Sequence, residues 1–490
     1  MRLGWVILLV SAVLAGCTGE CTDCVISDSG CPTCLPDGGQ TRFNVYTIDP
    51  TPFQVQGYER IPTFQMTLTP SGGIGFAYVE ESADQSGASK PRDAGADITN
   101  YDIDYVEWNA GVTGTPQKAH GPVINFVGVS LDYQPNGQPA VAYLGFTTAP
   151  GYDLSQAFWY QNDGVVNYRS TDGVTWTEET AVQTSGQAAC GDPSCDNGTV
   201  VGLFPALLFD GNNGAILAYK DVHFGSSPLG DYGGADLELA LGGPTSWTHQ
   251  LIAPGKGGLA SSCSSDARIS RGSHNRMIHG ASANPVLVSD LGDQFPPATS
   301  ISRDLYFNER QSGTWICPTS VLLSGEANTV LNTQNGPTVA YDPVEGYAVA
   351  VTSVNSAAGG PEALYKNCPP SKNCNLTSSW NVFQVVFGSG SGGFFASVAV
   401  NPDTHEPWVA HYFCSSTSGK TVDTCTPDNE LKVSNSTRYG GVPGPWSDET
   451  VDTQGGFQTQ SLFLSNPTRL AIGYRDPGTG ALKLAVEKNP

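Results

Sequence analysis

The stretch Leu131-Asp132-Tyr133-Gln134-Pro135-Asn136-Gly137-Gln138-Pro139-Ala140-Val141-Ala142-Tyr143 decides the fold. A short apolar run meets a Pro-Asn-Gly turn and returns as a second apolar run, the pattern of a β-hairpin. It recurs along the chain. The second strand of each copy contains Phe76-Ala77-Tyr78, Val141-Ala142-Tyr143, Leu217-Ala218-Tyr219, Ile278-His279-Gly280, Val349-Ala350-Val351, Val409-Ala410-His411 and Ile472-Gly473-Tyr474. Their central residues lie 65, 76, 61, 71, 60 and 63 positions apart, which is an internal repeat. Turn residues fall where the hairpins need them, at Leu68 to Gly73, Asp132 to Gly137, Asp210 to Gly214, Asp342 to Gly346 and Asn401 to Glu406.

Working outward, a third strand follows each pair, at Asp102 to Val106, Val165 to Ser170, Asp236 to Ala240, Asp304 to Asn308, Ala363 to Tyr365, Glu430 to Ser434 and Ala481 to Val486. Fourth strands are expected to begin at Trp176, Trp247, Trp315, Trp380 and Trp446, with the indoles wedged between repeats. Four antiparallel strands repeated seven times make an all-β, seven-bladed β-propeller. The seventh unit has only three strands of its own, whereas Phe43-Asn44-Val45-Tyr46-Thr47-Ile48 precedes the first unit without a partner. The expectation is that this N-terminal strand pairs with Ala481 to Val486 and closes the ring, removing a free sheet edge. The fourth unit matches the pattern least well and leaves six or eight blades open.

Composition agrees with this. Only 14% of the 490 residues are charged, and Gly and Pro number 58 and 34, which excludes a helical bundle or coiled coil. The 23 basic and 46 acidic residues give a net charge of −23, which repels nucleic acid and anionic lipid headgroups. Residues 1–16 read as a signal peptide, with Arg2 ahead of an apolar run from Trp5 to Ala15. The run ends in Leu14-Ala15-Gly16-Cys17, which resembles the bacterial lipobox; that resemblance implies lipidation of Cys17 and anchoring at the outer membrane or cell surface. Residues 17–40 then form a Cys-rich tether and 41–490 the propeller.

Setting Cys17 aside, twelve cysteines remain in a compartment where disulfides persist. The expected couples are Cys190 with Cys195, Cys368 with Cys374, Cys414 with Cys425, and Cys263 with Cys317. Cys21, Cys24, Cys31 and Cys34 fit either two disulfides or a tetrathiolate zinc site, with export favouring disulfides. No cofactor and no metal is otherwise indicated: the seven histidines form no H-E-x-x-H motif, and the acidic turns lack the ligand spacing of a calcium loop.

Residues 41–490 resemble the sialidase-like propellers with Asp-box turns. Ser170-Thr171-Asp172-Gly173-Val174-Thr175-Trp176 is similar to that box with one residue missing, and Arg60-Ile61-Pro62 is similar to the family's R-I-P element. The resemblance implies that Arg60 belongs to an arginine clamp for a substrate carboxylate, completed by Arg303, Arg310, Arg438 or Arg475, with Asp84 or Asp93 as proton donor. A Tyr/Glu pair is also required. A sialidase-like glycoside hydrolase is therefore the alternative to a binding or scaffold module for a protein or glycan partner. Long segments at Glu81 to Asn100, Thr147 to Asp163, Val222 to Ala235, Asn284 to Arg303 and Cys414 to Asn429 share one face, which marks that face as the binding surface. Tyr58, Arg60, Phe126, Phe204, Phe394, Phe395, Phe457, Asp221, His223, Arg475 and Asp476 are its candidate residues, aromatic groups beside convergent polar ones. The competing expectation is that the phenylalanines plug the central channel.

Overall fold

The computed structural model describes residues 41–53, 62–83, 100–124, 128–146, 162–183, 200–211, 214–223, 234–243, 245–253, 271–291, 304–311, 313, 315, 336–355, 360–385, 391–414, 429–439 and 442–489. Two short strands, Val25–Ile26 and Pro32–Thr33, are also described and pair with each other. The chain divides into an N-terminal unit of residues 1–43 and a body of residues 44–490.

The body is a seven-bladed β-propeller of antiparallel sheets. Blade 1 runs Phe64–Leu68, Ile74–Glu81, Asn100–Asn109 and Gln117–Ile124, and blade 2 runs Val129–Tyr133, Pro139–Phe146, Asn162–Arg169 and Trp176–Val182. Blade 3 follows with Val200–Phe209, Ala215–His223, Gly234–Gly242 and Trp247–Ala253. Blade 4 has three strands among the described residues, Ser273–His279, Pro285–Leu291 and Asp304–Glu309. Blades 5 and 6 are complete, with inner strands Thr338–Asp342 and Ser391–Val400. Blade 7 takes Phe457–Leu464, Arg469–Arg475 and Leu482–Glu487 from the end of the chain and Phe43–Asp49 from its beginning as the outer strand. The expected closure by the N-terminal strand is thus present.

Alternation along each strand sends neighbouring side chains to opposite faces, so each blade packs one apolar face on the blade before it and the other on the blade after it. Phe64, Phe76 and Trp108 of blade 1 meet Leu464, Leu482 and Val486 of blade 7 in one buried cluster. Leu217 and Tyr219 of blade 3 meet Val166 and Ala142 of blade 2 in another. The tryptophans wedge between blades as expected: Trp176 packs edge-on to Tyr105 of blade 1 at 5.8 Å, Trp380 to Phe307 of blade 4 at 5.0 Å and Trp446 to Tyr365 of blade 5 at 5.4 Å. Trp176 and Trp247 begin their outer strands as expected, and Trp380 directly precedes Asn381–Val385. Trp446 sits midway along Val442–Asp452, and Trp315 is buried but begins no described strand.

The largest correction concerns blade 4. Ile278 and His279 end its inner strand, Ser273–His279, and Gly280 lies in the turn; the second strand is Pro285–Leu291, with Val288 opposite Arg276. The reading slipped by one strand because this inner strand, Ser273-His274-Asn275-Arg276-Met277-Ile278-His279, is polar where other inner strands are apolar. The Asp-box-like turn joins the third and outer strands of blade 2. Asp172 Oδ1 accepts the Val174 and Thr175 backbone N–H groups at 2.9 Å each, and these bonds, after that from the Thr175 hydroxyl, lower its carboxyl to about pKa 2.

Cys368 and Cys374 are bonded, with Cα atoms 5.8 Å apart. Cys414 is disulfide-bonded and fully buried, while its expected partner Cys425 lies outside the described residues. So do Cys17, Cys21, Cys24, Cys31, Cys34, Cys190, Cys195, Cys263 and Cys317.

Candidate functional site

Inner strands start, and second strands end, at the same end of the ring, from which the long second-to-third segments leave. At that end four inner strands carry a bulge with one non-glycine residue in the left-handed region: Phe204 (φ 50°), His274 (φ 52°), Phe395 (φ 53°) and Gln458 (φ 56°). Such φ values are costly for these residue types and persist only where packing enforces them. Packing here runs from blade to blade. The Phe204 ring lies 4.6 Å from His274 of blade 4, and Phe395 lies 4.5 Å from Phe457 of blade 7. Gln458 Oε1 accepts both the backbone N–H (2.8 Å) and the hydroxyl (2.6 Å) of Thr63 at the entry to blade 1. Gly393, two residues before Phe395, lets its strand lie against blade 5, since a Cβ there would stand 2.0 Å from the Ala363 nitrogen.

These contacts place the candidate aromatics. Phe394, Phe395 and Phe457 are buried in one cluster with Phe53, Val79 and Tyr412, and Phe204 is only 7% exposed. They are buried core residues, each ring contributing about 1.5–3 kcal/mol by burial. Tyr58, Arg60 and Phe126, with Asp84, Asp93 and Arg303, lie outside the described residues. His223 ends the second strand of blade 3.

Arg475 ends the second strand of blade 7 and is 2% exposed. Its Nε donates to Thr63 Oγ1 at 2.8 Å, one terminal nitrogen to Gly480 O at 2.8 Å and the other to Val79 O at 2.6 Å, while its plane covers the Phe53 ring at 4.4 Å. Burial lowers its pKa to about 10, against the opposing pull of Asp49, Tyr78 and Glu80, so it stays charged at neutral pH. Its donors hold blade 7 to blade 1 and are not offered to a ligand. Asp476 is likewise used within its turn: Oδ1 accepts Gly478 N (2.8 Å) and Thr479 N (3.0 Å), and Oδ2 accepts Lys483 Nζ (2.6 Å). Arg310 sits at the opposite end of the ring, 3.6 Å from Asp210. Asp221 is fully buried opposite Asp236 on the neighbouring strand.

The sequence reading missed an ionisable group on blade 1. Glu80 stands opposite Asp102, and Asp102 and Asp104 project to the same face of their strand. Asp102 pairs with Lys118 of the outer strand. Burial first, and then a hydrogen bond from its acid to Glu80, raise the Asp104 carboxyl well above the usual carboxylate range. The group lies at the base of segment 84–99. Its sequence signal was the Asp102-Ile103-Asp104 alternation facing Glu80-Glu81.

A second pattern bears on the hydrolase alternative. Second-strand tyrosines donate to carboxylates in five blades: Tyr78 to Asp49 (2.5 Å), Tyr143 to Glu178 (3.0 Å), Tyr219 to Glu238 (2.8 Å), Tyr347 to Glu309 (2.6 Å) and Tyr474 to Asp452 (2.5 Å). Burial is the first cause that raises each of these phenols, and the paired carboxylates raise them further. A phenol held protonated in this way is a poor nucleophile, and its recurrence in five blades marks a packing device. Among the described residues no three His, Cys, Asp or Glu side chains are grouped to hold a metal ion.

No family model and no curated protein matches the sequence. Solved structures do. A polysaccharide lyase, an ulvan lyase of family PL25 bound to -[GlcA(1-4)Rha3S]-, aligns over 90% of this chain and 95% of its own, with a TM-score of 0.50 and 11% identity. The NanB sialidase from Streptococcus pneumoniae aligns over 90% and 92%, with a TM-score of 0.41 and 9% identity. A protein of unknown function from Dyadobacter fermentans aligns over 73% and 93%, with a TM-score of 0.39 and 14% identity. The first of these shares the fold with this chain.

Proposed function

We propose that the protein is a lipid-anchored propeller of the bacterial outer membrane or cell surface that binds a glycan or protein partner through the face carrying the long second-to-third segments. The observation that carries a binding role over hydrolysis is Arg475, whose guanidinium is spent on Thr63, Val79 O and Gly480 O. The tyrosine–carboxylate pairs support the same choice, because they recur as a packing device. The likeness to a lyase bound to an acidic polysaccharide supports a glycan over a protein as the first partner to test. The lipobox-like Leu14-Ala15-Gly16-Cys17 supports the anchor.

The sialidase-like alternative keeps one supporting observation, the Asp104 carboxyl that burial and its hydrogen bond to Glu80 raise above the usual carboxylate range, since a carboxyl held as the acid is what glycoside hydrolysis uses as proton donor. Incubating the full-length protein, in detergent, with a mixed glycan library and reading retention and cleavage by mass spectrometry separates the two. Retention without cleavage is expected. Release of a sugar, lost in Asp104→Asn, would replace the binding role with hydrolysis, and neither retention nor release would exclude a glycan partner and leave a protein.

A further inference from the structure

One position recurs in every inner strand, opposite the centre of the second strand. It is Gln65 (opposite Ala77), Ser130 (Ala142), Ala206 (Ala218), Arg276 (Val288), Thr338 (Ala350), Ser397 (Ala410) and Gln460 (Gly473). In four blades this residue stitches its strand to the next blade. Ser130 Oγ accepts Leu207 N at 2.8 Å, and Thr338 Oγ1 accepts Val398 N at 3.0 Å. Ser397 Oγ bonds the hydroxyls of Thr459 and Ser461 at 2.9 and 2.7 Å, and Gln460 accepts Met66 N at 3.0 Å while donating to Phe64 O at 2.6 Å. Blades 1, 3 and 4 depart from this, and of their residues Arg276 of blade 4 is the one that carries a charge.

Arg276 is 9% exposed and shares its face with Val288, which packs on Tyr347 and Val349 of blade 5. Thr338, its counterpart on blade 5, already has its hydroxyl turned to blade 6. Among the described residues Arg276 has no hydrogen bond and no ion pair, one terminal nitrogen is buried without an acceptor, and burial alone lowers its pKa, to about 10. It remains a cation. Five residues earlier Arg271, 4% exposed, leaves its Nε in the same condition, close enough for its charge to act on the buried Tyr306. Lys220 of blade 3 adds a third buried cation, its Nζ 2.9 Å from Ser273 Oγ.

A buried guanidinium without a counter-ion is costly, because desolvation is not offset by Coulomb attraction or hydrogen bonds. Burying Arg276 in this way, in a chain of net charge −23, is explained if an acceptor from outside the chain completes it. We infer that the inner strand of blade 4 is an oxyanion receptor in which Arg276 is the principal ligand-binding residue, taking a sulfate or carboxylate group. The planar fork of a guanidinium matches such oxygens in bidentate fashion. The inference is independent of the partner proposed above, so glycan retention does not establish it and its failure leaves that proposal standing.

The test titrates the full-length protein calorimetrically with sodium sulfate and, separately, with a hexuronate, in chloride buffer at constant ionic strength, and follows the melting temperature across both series. One saturable site and a melting temperature that rises and then levels off are expected, because a ligand selective for the folded state stabilises it by mass action. Arg276→Gln should weaken binding ten-fold or more and abolish the rise with an unchanged circular dichroism spectrum. Arg276→Lys, which keeps the charge and loses the fork, should fall between. Arg310→Gln, which removes an arginine at the far end of the ring, should bind as the parent does. Sulfate binding alone assigns a free inorganic anion, and tighter hexuronate binding assigns a sugar-borne carboxylate. Absence of saturable binding by both ions, or equal binding by Arg276→Gln, overturns the inference.

Discussion

Two buried arginines of this propeller make opposite use of the same side chain. Arg475, at the seam between blades 7 and 1, is 2% exposed and has all of its nitrogens engaged by Thr63, Val79 O and Gly480 O. Arg276, in the inner strand of blade 4, is 9% exposed and engages no described group. Burial lowers both to about pKa 10, so the difference does not lie in desolvation. It lies in what the neighbouring strands offer. At the seam the ends of Ile74–Glu81 and the turn after Arg475 present carbonyls, and the ring closed by an N-terminal strand gains a tie between chain ends 412 residues apart. In blade 4 the residue opposite Arg276 is Val288, part of an apolar cluster with Tyr347 and Val349 of blade 5. An arginine is therefore a scaffold part or a receptor according to its surroundings.

The comparison breaks most visibly at the seam. Arg475→Met should cost about 3 kcal/mol or more in urea unfolding, since it strands the buried carbonyls of Val79 and Gly480 together; a loss below about 1 kcal/mol would deny the seam its structural role. The comparison extends to tyrosines. Tyr474→Phe removes a 2.5 Å bond to Asp452 and should cost about 2 kcal/mol.

Asp104 sharpens the comparison through pH. Its folded-state pKa is raised, so the folded protein holds a proton that the unfolded chain has released above the ordinary carboxylate range. Stability from this group is full below that range and falls as pH rises toward the folded pKa. Asp104→Asn should flatten the fall, by about 1 kcal/mol between pH 5 and pH 7 in urea titrations, and an unchanged slope would mean that the carboxyl is ionised in the folded state. The smallest effect is expected at Tyr306, where Tyr306→Phe deletes a buried hydroxyl whose side-chain partner is Asn308 and should change stability by less than about 1 kcal/mol.

Most of the fold was legible in the sequence because six hairpins repeat a local pattern: apolar run, turn residues, small-residue second strand. Closure by Phe43–Asp49 was legible because the seventh unit lacked a strand and the first had one to spare. Blade 4 was not, and the reason is physical. Its inner strand buries Ser273, His274, Asn275 and Arg276, residue types that polarity assigns to the surface, so the apolar Ile278 drew the alignment one strand too early. The site divides in the same way. Arg475 and Phe457 stand at the ends of their strands as expected, whereas Phe204, Phe394 and Phe395 lie inside theirs, and only tertiary contacts reveal that all are consumed within the core. Asp104 and Arg276 escaped notice because their significance depends on missing or shared partners across strands, which no local motif encodes.

The most direct test of the contrast is the urea unfolding free energy of Arg276→Met in chloride buffer, set beside that of the parent protein and of Arg475→Met. With no internal partner to strand, replacing Arg276 by an apolar side chain of similar length should leave stability unchanged or raise it, opposite in sign to Arg475→Met. A loss of several kcal/mol at Arg276 would show that its guanidinium is satisfied within the chain and would contradict the account.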